Sequence, residues 1–294
     1  MAGRPPSRRR GLLRLLHSPT GLVGLALTTT VGAVAALSGW IAPGYAFAVS
    51  APDRLRPPSA RHLLGTDQLG RDLFTNVVQG AHTSMRIVAG VVAISTVVGV
   101  LLGCAAGFKG GLVDATVMRV VETVQSVPRF FVAVLVIGWF GPSATTMSVL
   151  LGLTSWPVLA RVVRAETLSL RERGFVAAAR TMGASDRRIV VRHIVPNVAP
   201  SALVMAAVTG SRVVLLEAGL AFLGLGDPNV ASWGALINNA QPYLARAWWL
   251  SVFPGAAMTL AVLGMNLLAD GLTDVLGPRS GDLGDGPSTM GGDP

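Results

Sequence analysis

Between residues 15 and 52 the chain contains no Asp, Glu, Lys or Arg, and further apolar runs recur along the rest of it. The core of this first run, residues 21–41, has the ~20 residues that a helix needs to cross ~30 Å of hydrocarbon. Only 13% of all residues are charged, whereas soluble domains carry about 25%. Much of the chain therefore does not face water, and we expect an all-α, polytopic membrane protein.

The apolar runs predict about six transmembrane helices, at residues 21–41, 87–108, 117–140, 143–159, 199–223 and 250–268. The third is too short if it starts at Phe130, so we start it near Val117 and expect Pro128 to kink it. The predicted division has five parts. A basic N-terminal segment (1–18) precedes a first helix (19–43) and an external loop with short helical pieces (44–84). A helical core (85–279), which includes a basic segment at about 161–197, is followed by a disordered tail (280–294).

Arginine sets the predicted orientation, because cytoplasmic loops carry an excess of Arg and Lys. With the N-terminus inside, the cytoplasmic side receives the cluster at 4–14, Lys109, the basic segment and Arg279. We therefore expect a multi-pass protein of the inner or plasma membrane with both termini in the cytoplasm. A cleaved signal peptide is the alternative for the first run, with small residues at 46–48. Against it, the apolar core of a signal peptide spans only ~7–15 residues.

The composition argues against nucleic-acid binding and against catalysis. The arginines behind the net charge of +9 lie between apolar runs, which indicates a lipid bilayer and no nucleic acid as partner. Lys109, the only lysine, stands outside any G-x-x-x-x-G-K-[ST] phosphate loop. The four histidines are scattered, and no H-E-x-x-H or G-x-S-x-G motif is present. We predict no catalytic residue, metal or cofactor; a secondary transporter or channel is the alternative to a subunit that works with an ATPase.

Within the basic segment, residues 166–196 are typical of two short helices joined at 183–185. The alanine-rich first helix should end at Gly183, where positive φ costs glycine little. Ser185 or Asp186 should cap the second, and Pro196 should end it. An ordinary basic loop does not need a helix–Gly–helix layout with an apolar face, so we interpret this layout as one that suits docking onto another protein.

Four collinear motifs, spread over most of residues 12–279, make the resemblance to a known family specific. Residues 175–183 (FVAAARTMG) and 192–197 (RHIVPN) resemble the EAA loop of ABC-importer permeases. Residues 64–72 (LGTDQLGRD) resemble the "LGTDxxGRD" signature of dipeptide and oligopeptide permeases. Residues 222–226 (FLGLG) with 232–234 (SWG), and residues 270–279 (DGLTDVLGPR), resemble two further elements of that subfamily. The chain is similar to the C-type permease subunit.

The resemblance implies an ABC type I importer-like permease fold and a subunit that forms half of a translocation pathway for dipeptides or oligopeptides. The partners it implies are a homologous B-type permease, two cytoplasmic ATPase subunits that bind ATP and Mg, an extracytoplasmic substrate-binding protein and the peptide. Nickel or another small solute is the alternative substrate. The residues it assigns to coupling with the ATPase are Ala177, Ala178, Ala179, Arg180, Gly183, Ala184, Arg188, His193 and Pro196. Ala177 stands where the loop's name-giving glutamate would be.

Charged residues inside the predicted spans are candidates for the pathway, because a charge in hydrocarbon is costly. Arg129, Arg212 and Glu217 are the candidates, with the arginines attracting a peptide carboxylate. Alternatively the arginines neutralise Glu122, Glu217 or an acid on the sister permease. Arg212 and Glu217 lie about 140° apart on a helix and should not pair with each other. The residues predicted for an external loop or gate are Asp67, Arg71, Asp72 and Trp233.

Overall fold

The computed structural model describes residues 18–43 and 51–276. The predicted basic N-terminus (apart from Ser18), the alternative cleavage site at 46–48 and the predicted tail at 280–294 lie outside these ranges. The described part is helical and contains no β-strand, only an isolated bridge between Thr66 and Asp72. Its helices are α1 (Pro19–Ala36), α2 (Ser38–Ile41), α3 (Leu73–Lys109), α4 (Gly111–Ser126), α5 (Arg129–Phe140), α6 (Ala144–Arg171), α7 (Gly174–Thr181), α8 (Asp186–Ile189), α9 (Val195–Phe222), α10 (Trp233–Ala240) and α11 (Trp249–Leu276).

Five of these segments are long and apolar enough to cross a membrane, and the α4–α5 pair makes a sixth if it counts as one span. The predicted all-α membrane architecture is thus confirmed. The third span is not one kinked helix, however, because α4 and α5 meet at 82°. Val127 is extended, as expected for a residue before proline, and Pro128 caps the N-terminus of α5. The sequence located the break correctly but underestimated its angle.

Three other helix boundaries differ from the prediction. Helix α3 begins at Leu73, inside the predicted external loop, and α6 continues to Arg171. Pro196 does not end a helix either: α8, a π-helical turn (Val190–Ile194) and α9 run on without interruption. The π-helical turn lies just before Pro196, and such a local change in the hydrogen-bonding pattern is one way in which a membrane helix accommodates proline.

Small residues bring α3 against α6. Gly99, Gly103 and Gly107 lie on one face of α3, and a Cβ on Gly103 would lie 2.7 Å from the carbonyl oxygen of Ala160. A Cβ on Gly107 would lie 2.7 Å from the carbonyl oxygen of Arg164. This glycine repeat therefore serves packing, since small residues permit so close an approach of two membrane helices.

Glycine residues also allow the first and last helices, α1 and α11, to pack closely together. A Cβ on Gly24 of α1 would collide with the backbone of Leu268 on α11, and one on Gly264 would lie 2.8 Å from the Cβ of Leu27. The start of α1 therefore lies beside the end of α11. We call the end of the bundle that holds Lys109, Arg171 and Gly183 the basic end, and the opposite end, with the start of α3 and α10, the loop end.

Candidate functional site

At the basic end, residues 174–194 form a hairpin of short helices that we call the basic hairpin. Its apolar side chains, Val176, Ala179, Ile189 and Ile194, are buried in a cluster with residues of α3 and α6 such as Phe108. The apolar face is therefore covered by the chain's own helices, and only the outward face of the hairpin is open to another protein. A sequence shows that a helix is amphipathic, but it does not show which surface covers the apolar side.

Gly183 makes the turn of the basic hairpin as predicted. Its φ is +77°, and the N–H of Ala184 donates to the carbonyl oxygen of Ala179 at 3.0 Å, which closes a Schellman-type helix end. Ser185 occupies the N-cap position of α8, although its side chain makes no capping hydrogen bond. The turn holds α7 and α8 in a fixed relation to each other.

The outward face of the basic hairpin consists of small and basic residues. Met182, which is 80% exposed, stands beside them. Of the residues assigned to coupling, Ala179 is buried, Ala184 and His193 are half-buried, and the exposed ones are Ala177, Ala178, Arg180, Gly183, Arg188 and Pro196. Because alanine and glycine have almost no side chain, this face lets another protein approach the backbone closely.

Contacts from the basic hairpin lead directly into the membrane helices. The guanidinium of Arg180 lies 5.3 Å from the centre of the Phe108 ring, at the end of α3. Nearby, Arg171 donates to the carbonyl oxygen of Gly107 at 3.3 Å. These contacts connect the hairpin and the end of α6 to the point where α3 turns into α4.

The sequence analysis missed the ion pair that braces this turn. Asp114, in the first turn of α4, accepts two hydrogen bonds from the guanidinium of Arg164 on α6. Gly110 and Gly111 precede it with φ of +67° and +54°, so the chain reverses between α3 and α4. The consecutive glycines followed by an acid are a sequence signal for a turn and a helix start, but nothing local identifies Arg164 as the partner.

At the loop end, two of the predicted gate residues hold their own loop together. The Oδ1 atom of Asp67 accepts hydrogen bonds from the backbone N–H groups of Leu69 and Arg71, both at 2.8 Å. Burial raises the pKa of the Asp67 carboxyl above its ordinary value, and these bonds partly offset the shift. Asp72 caps α3 through the N–H of Thr75 at 3.0 Å. The "LGTDxxGRD" residues thus build the entry to α3.

Trp233, also predicted for the external loop or gate, is only 2% exposed and lies in the interior of the bundle. Its Nε1–H donates to the carbonyl oxygen of Val77 at 3.0 Å. The next position, 234, requires glycine, because a Cβ there would lie 2.6 Å from the carbonyl oxygen of Ala218 on α9. The Ser-Trp-Gly motif therefore fastens α10 onto α3 and α9.

Glu217 is also 2% exposed, so it is not available to line a pathway. Its Oε2 atom accepts a hydrogen bond from Ser84 Oγ at 3.1 Å, and the side chain of Ser232 binds it as well. In residues 18–43 and 51–276 no arginine pairs with it. The structure thus makes Glu217 a buried link between α3, α9 and the start of α10.

Arg129 and Arg212 remain as pathway candidates. Arg212 is exposed on α9, Arg129 is partly exposed at the start of α5, and the two charges are close enough to repel each other. Neither has an ion-pair partner within the described ranges, where Glu122 contacts Arg119 at 3.4 Å. The alternative that they neutralise Glu122 or Glu217 of the same chain is therefore wrong. Both leave a positive surface open at the side of the bundle.

Comparisons with known proteins agree with this architecture. Residues 99–281 match the family model described as "Binding-protein-dependent transport system inner membrane component". A Brucella suis protein with the name of a peptide transport system permease is 40% identical over 267 residues, covering 90% of each chain. The Bacillus subtilis dipeptide transport system permease protein is 34% identical, covering 90% of this chain and 84% of its own. The Pseudomonas aeruginosa di/tripeptide permease is 34% identical, covering 90% and 89%.

A solved structure of the MetNI methionine ABC transporter, in an inward-facing conformation, shares the fold. It aligns with a TM-score of 0.58 and 19% identity, over 69% of this chain and 97% of that chain. At this identity the match establishes the architecture alone.

Proposed function

Because this chain belongs to the family of binding-protein-dependent transport system inner membrane components, we propose that it forms half of a pathway through which short peptides are imported. Its relatives are permease subunits named for peptide, dipeptide and di/tripeptide transport, which favours peptides over nickel. We further propose that ATP hydrolysis, with its Mg, takes place on two partner ATPase subunits. The fold supplies the pathway and the coupling surface.

The observation that carries the proposal is the outward face of the basic hairpin. It is small, basic and exposed, while its back is buried on α3 and α6. Such a surface supports the binding of an ATPase subunit because it presents backbone, positive charge and the exposed side chain of Met182. The contacts of Arg180 and Arg171 with the end of α3 then convey closure of the ATPase pair to the membrane helices.

The proposed orientation places the basic end in the cytoplasm. This end carries Lys109 and most arginines of the segment 161–192, as the positive-inside rule requires of a cytoplasmic surface. Since the start of α1 and the end of α11 lie at the same end, both termini would also be cytoplasmic. The loop end would then face the binding protein that delivers the peptide.

The partner permease, in this proposal, covers α4 and α5. These helices expose large apolar and aromatic side chains, including Leu112, Phe131, Leu135, Trp139 and Phe140. A patch of this size indicates contact with lipid or with another helical subunit. Arg129 and Arg212 open on the same side, so a homologous B-type subunit placed there would enclose both charges between the two permeases.

Affinity purification of the full chain from native membranes, with mass spectrometry of the proteins that accompany it, tests the proposal. We expect a second permease and P-loop ATPases with the wild-type chain. Replacement of residues 174–189 by a Gly/Ser linker should remove the ATPases and keep the second permease. A lone homo-oligomer without any ATPase would instead identify a channel or secondary transporter.

Arg129 and Arg212 give a second prediction. We expect Arg212→Gln, and more strongly the double change with Arg129→Gln, to lower uptake of peptides with a free C-terminus by about tenfold or more, since a guanidinium binds a carboxylate through two hydrogen bonds. Uptake of labelled peptide into cells is the measurement. Arg119→Gln, at an exposed arginine paired with Glu122, is the matched control. Unchanged uptake in the double variant would contradict a role of these arginines in the pathway.

A further inference from the structure

A polar cleft of about 260 Å³ opens at the loop end, between the start of α3, the loop before it and α10. Four side-chain carboxamides line it: Gln68, Asn76, Asn238 and Asn239. The same lining carries two carboxylates, Asp67 and Asp227, and one guanidinium, Arg71. Neither the coupling face nor the arginines of the proposed pathway belong to this cleft.

Asn76 is the residue that the fold alone does not explain. It is 3% exposed in the first turn of α3, and its backbone N–H donates to the carbonyl oxygen of Asp72 at 3.2 Å. Within residues 18–43 and 51–276, its side-chain amide makes no hydrogen bond, although it lines the cleft. The amide therefore opens into the cleft, where its donors and its acceptor are available to a ligand.

The charges of the cleft narrow the class of ligand. Asp227 uses its Oδ1 atom to accept the N–H of Asn229 at 2.9 Å, and the carboxylate is only half-buried. Opposite charges together with several amides complement a molecule that has a cation, an anion and amide groups of its own. A peptide with free termini is such a molecule, since carboxamides donate to and accept from a peptide backbone.

We propose that this cleft is a binding subsite for a short peptide of two or three residues with free termini. Asp227 binds the terminal ammonium, and Asn76 binds the peptide backbone beside it. The cleft volume lies just below the ~300–1,000 Å³ of sites for drug-sized ligands, which matches a ligand of this length. This inference rests on the proposed function, which supplies peptides as the ligand class.

The test uses the complete transporter in lipid nanodiscs, without binding protein, and the dipeptide alanyl-alanine as probe. Its dissociation constant is measured by calorimetry or NMR, beside that of its N-acetylated form. We expect Asn76→Leu to weaken binding of alanyl-alanine about tenfold, equivalent to about 1.4 kcal/mol. Asp227→Asn should weaken alanyl-alanine to the same extent and leave the acetylated form unaffected, because that form lacks the ammonium.

Arg246→Gln is the control, since Arg246 is exposed near the same end of the bundle and is not part of the lining. If Asn76→Leu fails to fold, the proposal is tested by the dissociation constants of the free and the acetylated dipeptide for the Asp227→Asn variant. Equal binding in Asp227→Asn and wild type overturns the proposal. So does a result in which no dipeptide binds while a photo-crosslinker at Asn239 captures the binding protein, which makes the cleft a docking surface for a protein loop.

Uptake assays on the same preparations separate failure of the subsite from failure of the proposed function. If the wild-type transporter imports peptides with its ATPases while the cleft variants bind the dipeptide normally, only the subsite is wrong. If neither ATPase partners nor peptide uptake are found and no dipeptide binds, both proposals fail.

Discussion

Gly103→Leu should prevent the chain from forming a stable bundle. A Cβ at this position would lie 2.7 Å from the carbonyl oxygen of Ala160 and 2.8 Å from the Cβ of Val163, so α3 and α6 would have to separate. Overpacking of a core usually costs about 1–3 kcal/mol; here the collision is with backbone, which cannot rotate away, and we expect at least ~3 kcal/mol. Thermal unfolding and gel filtration of the purified protein measure the effect.

Gly138→Leu is the matched control for this experiment. Gly138 lies in the middle of α5, and no other residue of the described structure comes within 4 Å of a Cβ placed there. We expect its melting temperature and elution volume to equal those of the wild type. Equal stability of the Gly103 and Gly138 variants would show that α3 and α6 do not approach as closely as the structure has them.

Ala178→Trp should leave the fold intact and abolish transport. Ala178 is exposed on α7, so an indole there separates the basic hairpin from the proposed ATPase surface. We expect uptake of peptide to fall on the order of 100-fold, which corresponds to ~2.7 kcal/mol, at an unchanged melting temperature. Uptake into cells and unfolding of the purified chain are measured in parallel.

Two further tryptophan variants are the controls for this experiment. Ala245→Trp, at an exposed position near the loop end, should retain uptake. Ala179→Trp, whose wild-type side chain is buried beneath α7, should lower the melting temperature instead. If Ala178→Trp transports as well as Ala245→Trp, the outward face of the basic hairpin does not carry the coupling.

Hydropathy predicted the spans because a segment that crosses the bilayer must be apolar along its length. It failed at the start of α3, where residues such as Gln79 and Ser84 are polar and helical at once. Their partners come from distant parts of the chain: Gln79 donates to the carbonyl oxygen of Ala42, and Ser84 to Glu217. A helix that continues among polar neighbours looks like a loop when only the sequence is known.

The residues of the candidate sites also differ in how far the sequence alone predicts their roles. Gly183 was predicted from local chemistry, because positive φ at a helix end favours glycine wherever the helix lies. The role of Glu217 was not predicted, because its hydrogen-bond partners Ser84 and Ser232 come from separate segments that only the fold brings together. The sequence marked Glu217 as an unusual charge inside a membrane helix and could not distinguish a buried link from a pathway residue.

The pairing of α1 with α11 has a consequence for how the protein is made. Gly24 and Gly264, which let the two helices meet, are separated by some 240 residues of chain. At the usual ~5–20 residues per second of synthesis, α1 waits roughly 10–50 s in the membrane before α11 leaves the ribosome. During that interval the glycine surface of α1 faces lipid or the insertion machinery, so a chain stopped short of α11 carries an uncovered first helix and is marked for membrane quality control.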